Sequence, residues 1–233
     1  MKFRRILLGL FVCCISIQEL DAQKPFVDAM SWLSLSLDQK IQYRWSVKLL
    51  TRFRSGENFT QLNSWYSDLG VQYDVTDRFT LTANYVYAPS RLSNMQFVNF
   101  HQYYTSLNYK FKPIKRWNFD NRIIIQRTSS GSMLDSGDPS KNSVDIRYKP
   151  EVDFKFGKGY TAFVADEVML PLSSVPFELE RNRFYAGINR VFTKRINMDF
   201  YFVLQSSYHS SSGDNRYYIY GIDLNYKFRR LVF

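Results

Sequence analysis

Residues 145–156 read "DIRYKPEVDFKF", and charge alternates with apolarity along the whole stretch. Asp145, Arg147, Lys149, Glu151, Asp153 and Lys155 hold one parity. Ile146, Tyr148, Val152, Phe154 and Phe156 hold the other, with Pro150 among them. A period of two belongs to a β-strand, whose successive side chains point to opposite faces. The pattern recurs over 43–54, 79–87, 102–111, 196–205 and 217–228, and more weakly over 30–38, 63–73, 117–127, 160–168 and 183–192. No helical period competes over a comparable length, so one all-β domain is expected.

Two architectures present strands with unlike faces. A soluble sheet turns the apolar face to its core and the charged face to water. A membrane barrel inverts this, with apolar side chains on lipid and charges in the lumen. Several segments reach ten residues or more, as a tilted membrane strand of about 9–11 residues requires. The connections also alternate in length. Short turns at Asp74–Arg78, Lys112–Arg116, Gly157–Gly159 and Thr193–Arg195 are interleaved with longer polar loops near 88–99, 128–143, 169–181 and 206–216. Short turns at one end and long loops at the other belong to outer-membrane barrels. The expected fold is a single transmembrane antiparallel up-and-down β-barrel of about 10–12 strands. Eleven segments are countable, whereas bacterial barrels normally hold an even number. Ten strands follow if 30–38 is incomplete, twelve if one strand is hidden.

The chain begins "MKFRRILLGLFVCCISIQELDAQ". Lys2, Arg4 and Arg5 precede an apolar run from Ile6 to Ile17, and Ala22 offers a small residue for cleavage. That is a secretory signal peptide over 1–22, too short to span a membrane, ahead of a barrel domain over 23–233. An N-terminal anchor and a lipoprotein fit less well, because no small residue precedes Cys13 and the apolar run continues past Cys14. The mature chain then has no cysteine, and no disulfide stabilises it. It ends "YGIDLNYKFRRLVF". A final strand with outward aromatics and a terminal Phe233 resembles the signal read by outer-membrane assembly machinery. Expected partners are that machinery, outer-membrane lipid and lipopolysaccharide, and an unidentified small solute. The expected location is the outer membrane of a Gram-negative bacterium.

Composition agrees. The chain has 17 Tyr, 20 Phe and 4 Trp within a negative mean hydropathy, as aromatic girdles around a polar interior would give. Its net charge of +10 is spread along alternating strands rather than gathered in one patch, so nucleic acid is not an expected partner.

The order of motifs resembles a family of Gram-negative outer-membrane barrels known only as a domain of unknown function. The likeness rests on Trp32, Arg52 with Arg54, His101, Arg122 with Arg127 in "NRIIIQR", Arg147-Tyr148, Glu167, and "RFYAG" with Arg183, Tyr185 and Gly187. Around His101 the resemblance implies a Glu-His-Arg-like triplet, where this chain reads Phe100-His101-Gln102. It implies a fold and a location, and no established chemistry.

Catalytic signals are sparse. A lipid hydrolase would need Ser, His and a carboxylate in reach, and the two histidines are His101, with Ser106 and Asp120 near it in sequence, and His209. No His, Cys or carboxylate cluster has metal-ligand spacing, "GKG" at 157–159 reads as a hairpin turn, and no cofactor is expected. The remaining constellation is a ladder of lumenal charge. Candidate lumen-lining residues are Arg44, Lys48, Arg52, Arg122, Arg147, Lys149, Glu151, Asp153, Glu167 and Arg183. Lys155, Asp68, Asp120, Asp145, Asp199 and Asp223 share their parity. Such a ladder either fills the barrel as a salt-bridged plug or lines a narrow pore or cavity for small solutes. A protein that binds partners through its outer loops is the third reading.

Overall fold

Alternating β-branched, aromatic and charged residues fold into eleven strands in the computed structural model, which describes residues 26–91, 96–130, 142–172, 179–208 and 215–229. They are β1 (Phe26–Lys40), β2 (Trp45–Gly56), β3 (Gln61–Asp74), β4 (Phe79–Arg91), β5 (Phe97–Ile114), β6 (Trp117–Ser130), β7 (Asn142–Gly157), β8 (Tyr160–Pro171), β9 (Arg181–Val191), β10 (Ile196–Ser207) and β11 (Asn215–Lys227). Among the described residues every regular element is a strand. The signal-peptide segment, His209 and Phe233 lie outside them.

Sequential strands pair antiparallel, and β1 closes the sheet on β11 as a closed barrel. That last pairing is parallel, from Phe26↔Asn215 to Asp38↔Lys227. Among the described residues the barrel therefore closes with eleven strands, neither ten nor twelve. Both first and last strands run from the long-loop end to the short-turn end, so an odd number closes without leaving an edge. The 30–38 segment is the middle of a complete strand.

The faces follow the alternation. Leu33, Phe53, Leu69, Leu107, Ile123 and Phe200 are exposed on the outer wall, whereas Asp145, Glu167, Arg183 and Gln205 are buried inside. Aromatics pair around the outside in two belts. Trp45–Tyr73, Phe79–Tyr109, Trp117–Phe154 and Tyr226–Phe228 lie at the short-turn ends. Trp65–Tyr87, Phe59–Tyr220 and Phe202–Tyr218 lie toward the long-loop end.

Pro150, Asn121 and Arg190 are outward residues that depart from the apolar pattern, and each has a local answer. Pro150 stays in register with Asn121 on β6, while the β7–β8 ladder lapses between Tyr148 and Glu151 and resumes without a shift. Losing one N–H therefore costs pairing on one side only. Asn121 accepts a hydrogen bond from the Tyr148 hydroxyl at 2.8 Å. Arg190 bends to the turn, stacking 3.9 Å from the Tyr160 ring centre and donating to the Lys158 carbonyl at 3.1 Å, as a snorkelling side chain does.

The β2–β3 turn is tight although it lies at the long-loop end. Glu57, Asn58 and Phe59 all have φ between 49° and 71°, a region that costs non-glycine residues energy. The buried Asp28 carboxylate holds them there by accepting from the Glu57 and Asn58 N–H groups at 3.0 and 2.9 Å.

The interior is packed on one side only. Trp32, Val203 and Ile219, from β1, β10 and β11, form a small apolar core inside the lumen, with Met30, Tyr185, Tyr201 and Tyr217 against it. The opposite wall, β2 to β7, leaves space.

Candidate functional site

That space is a cavity of about 730 Å³ whose lining reaches from Ser64, Ser90 and Phe100 toward the long loops to Lys110, Asn118 and Lys155 toward the short turns. An eight-stranded barrel is just filled by side chains and a sixteen-stranded one holds an aqueous channel. Eleven strands with one packed wall give an intermediate volume, comparable to small-molecule pockets of about 300–1,000 Å³. A second cavity of about 220 Å³ opens at the short-turn end, sharing Lys48 and Asn225 with the first.

Of the sequence-derived candidates, Lys48, Arg52, Arg122, Arg147, Lys149, Glu151, Asp153, Glu167 and Arg183 line the larger cavity. Arg44 does not. It sits in the turn before β2, donating to the Val75 carbonyl at 3.4 Å. It shares the parity of Lys48 and Arg52, but the strand begins at Trp45, so parity no longer directs its side chain inward. Asp145 is buried in the barrel wall, 1% exposed, outside the cavity lining.

The lining has two halves. Arg54 and Arg183 lie two residues from the long-loop ends of β2 and β9. Arg183 donates to Glu167 at 2.9 Å and to Gln205 at 2.7 Å, and Arg147 approaches the same Glu167 oxygen at 3.9 Å. Arg52 donates to Asp223 at 2.8 Å and to Ser34 Oγ at 2.5 Å. Tyr201 and Ser34 also donate to Asp223, at 3.0 and 2.6 Å. These guanidiniums gather around an aromatic post. Arg52, Arg54 and Arg183 lie 5.0, 4.7 and 5.5 Å from the Trp32 ring centre, and Arg54 lies 4.6 Å from that of Tyr66. Cation–π contact of this kind strengthens when desolvated.

Toward the short turns Lys48, Lys110, Lys149 and Lys155 join Arg122, and the acids are more numerous. Lys110 pairs with Asp120 at 3.5 Å and Lys149 with Glu151 at 3.0 Å. Asp199 accepts from Asn189 and Asn225, at 2.5 and 2.9 Å. Asp68 accepts from Asn84 and Tyr104, at 2.7 and 2.5 Å. Arg122 donates to Asn108 Oδ1 at 2.5 Å. Lys110–Asp120, Arg147–Glu167 and Arg183–Glu167 pair across adjacent strands, Lys149–Glu151 within β7, and Arg52–Asp223 across β1.

Sequence reasoning missed Arg54 as a lining residue, although it shares parity with Lys48 and Arg52. It also missed the inward side of Trp32. The signal was present in "RFR" at 52–54 and in Ser34 and Ser36, which share the parity of Trp32, but an indole between Arg54 and Gly221 in the strand register is visible only once the barrel closes.

Around His101 the hydrolase grouping is not assembled among the described residues, and His209 lies outside them. Ser106 faces inward, its Oγ 2.6 Å from Thr82 Oγ1, and Asp120 lines the cavity. His101 faces outward, its Nδ1 2.7 Å from the Tyr85 hydroxyl and its ring beside Tyr87. The sheet separates them. Among the described residues no group of His, Cys, Asp and Glu could hold a metal ion.

Fold and lumen together define a closed, eleven-stranded β-barrel with an apolar outer wall and a charge-lined, partly filled interior. The model of the family described as "Protein of unknown function (DUF2490)" matches residues 29–217, and the chain belongs to that family. No curated protein matches it.

Proposed function

We propose that the protein spans the outer membrane of a Gram-negative cell after removal of residues 1–22, and that its lumen binds or passes small solutes with a lean toward anions. The carrying observation is the inversion of polarity between the two faces. Leu33, Leu35, Phe53, Leu69, Leu81, Ile125 and many other large apolar residues are exposed on one continuous outer wall, far more than a soluble monomer tolerates in one patch. Lipid is the solvent that suits such a surface. Strands of 11 to 18 residues meet or exceed the length of about 9–11 residues that a tilted crossing requires. Two external aromatic belts match the two interfaces of a bilayer.

In this reading the outer wall meets lipid and, at the long-loop end, lipopolysaccharide. The final strand is what the assembly machinery would recognise. The cavity argues for a solute over a completely plugged barrel, while the matched charges keep any passage narrow. Mature protein is expected to begin at Gln23, to fractionate with outer membrane and to resist carbonate extraction. In planar bilayers it should give small conductance steps. Recovery as a soluble periplasmic protein would overturn the membrane reading, and complete electrical silence would favour a structural barrel.

A further inference from the structure

The arginines around Trp32 outnumber their carboxylates. Arg52 has Asp223 at 2.8 Å, Arg183 has Glu167 at 2.9 Å, and Arg147 reaches the same Glu167 only at 3.9 Å. Arg54 has no ion pair among the described residues. Four guanidiniums against two carboxylates leave an excess of two positive charges in one region of the cavity.

The hydrogen-bond inventory points the same way. Trp32 Nε1, Arg54 Nε and Arg147 Nε are buried N–H groups without a partner, and all three residues line the cavity. Buried donors are normally satisfied, and each exception calls for a reason. Stacking explains how the cations are held without being quenched. Arg54 lies 4.7 Å from the Trp32 ring centre and 4.6 Å from that of Tyr66, so aromatic rings rather than a carboxylate hold its charge. A planar fork suits two oxygens of one anion and suits a spherical halide poorly.

We infer that this cluster is a binding site for a small doubly charged oxyanion of the phosphate class, inorganic phosphate or a phosphate monoester. Two anionic charges balance the local excess, and several oxygens answer several donors. The inference rests on the proposed reading of the lumen as open to solutes, though not on membrane location.

The test is calorimetric titration of the mature barrel in detergent micelles with inorganic phosphate, with chloride holding ionic strength constant. Saturable binding is expected, tighter than that of succinate, which offers the same charge on carboxylates. Arg54→Gln should weaken it at least tenfold, and Arg44→Gln, outside the lumen, should leave it unchanged. Arg54 has no carboxylate to orphan, so its removal should permit folding. If it does not, Arg54→Lys keeps the charge, loses the fork, and should weaken binding as well. Absence of saturable heat, succinate binding as tight as phosphate, or indifference to both Arg54 variants would overturn the inference. A barrel that proved soluble yet bound phosphate would refute only the membrane reading. One that conducted ions yet ignored phosphate would refute only this site.

Discussion

The Tyr201 ring lies flat across Gly221, its neighbour in register on β11. A Cβ at position 221 would stand 2.1 Å from Tyr201 Cζ, so only glycine leaves the ring its place. The hydroxyl beyond it donates to Asp223 at 3.0 Å, the acid that also receives Arg52. Gly221→Val should displace the ring and strain this cluster, costing about 1–3 kcal/mol as overpacking does. In a Tyr201→Ala background the same substitution should cost much less, because the clash is gone. Denaturant midpoints of the four variants give the coupling, and equal costs in both backgrounds would show that the ring moves aside freely.

Glu167 is shared by Arg183 and Arg147 and is 6% exposed. Arg183→Met should destabilise the barrel by about 3–5 kcal/mol, since a buried carboxylate is left with only a distant cation. Adding Glu167→Gln should recover much of that loss. Heat-modified gel mobility and denaturant unfolding report it. A double variant no better than Arg183→Met would place the cost in lost packing against Trp32.

Most of the barrel is legible in the chain because its two faces meet unlike surroundings, so polarity alternates even where strand propensity is ordinary. Each of the six strongest stretches overlaps one strand, overrunning it by a residue or two at 43–44 and 228. What period two cannot supply is where a strand starts, and Arg44 against Arg54 is the measure of it. Both share the inward parity, yet one precedes the strand and one stands near its far end. Closure is equally invisible, since no local feature of Phe26–Lys40 announces a parallel partner near the other end of the chain. Polarity also misleads on the packed wall. Val203 and Ile219 are fully buried inside the lumen at positions where a water-filled interior would select polar residues.

Faces can be tested with adjacent residues. Leu107 is 42% exposed on the outer wall and Ser106 is 4% exposed within. Leu107→Arg should cost about 2–4 kcal/mol if the position lies near the midplane of a bilayer. Ser106→Arg enters the cavity and should be milder. Folded fractions after refolding into lipid vesicles compare the two. The reverse order would mean that the outer wall does not meet lipid.

Parallel closure fixes the sides on which the ends of the sheet emerge. β1 starts at the long-loop end and β11 finishes at the short-turn end. Single cysteines at Phe26 and Phe97 should therefore react with an impermeant maleimide from one side of the membrane, and a cysteine at Phe228 from the other. In intact cells the first two are expected to label and the third only after permeabilisation. Labelling of Phe26→Cys together with Phe228→Cys would require an even-stranded, antiparallel closure.

Anion preference should come from the lumenal cations that no carboxylate holds. Lys48 and Arg54 line the cavity and form no ion pair among the described residues, whereas Arg52 is tied to Asp223. Rings of basic side chains favour anions, and a paired arginine contributes little net field. Lys48→Gln with Arg54→Gln should therefore shift the reversal potential of a salt gradient toward neutrality, with assembly largely intact because no acid is stranded. Arg44→Gln should change nothing, its side chain being at a turn outside the lumen. Glu167→Gln should act in the opposite sense by freeing Arg147 and Arg183, sharpening anion preference. Both effects should shrink at high salt, where the Debye length falls to about 3 Å at 1 M. A large cation-selective conductance in the unmodified protein would contradict the assignment, as would a preference that responds to Arg44 and ignores Arg54.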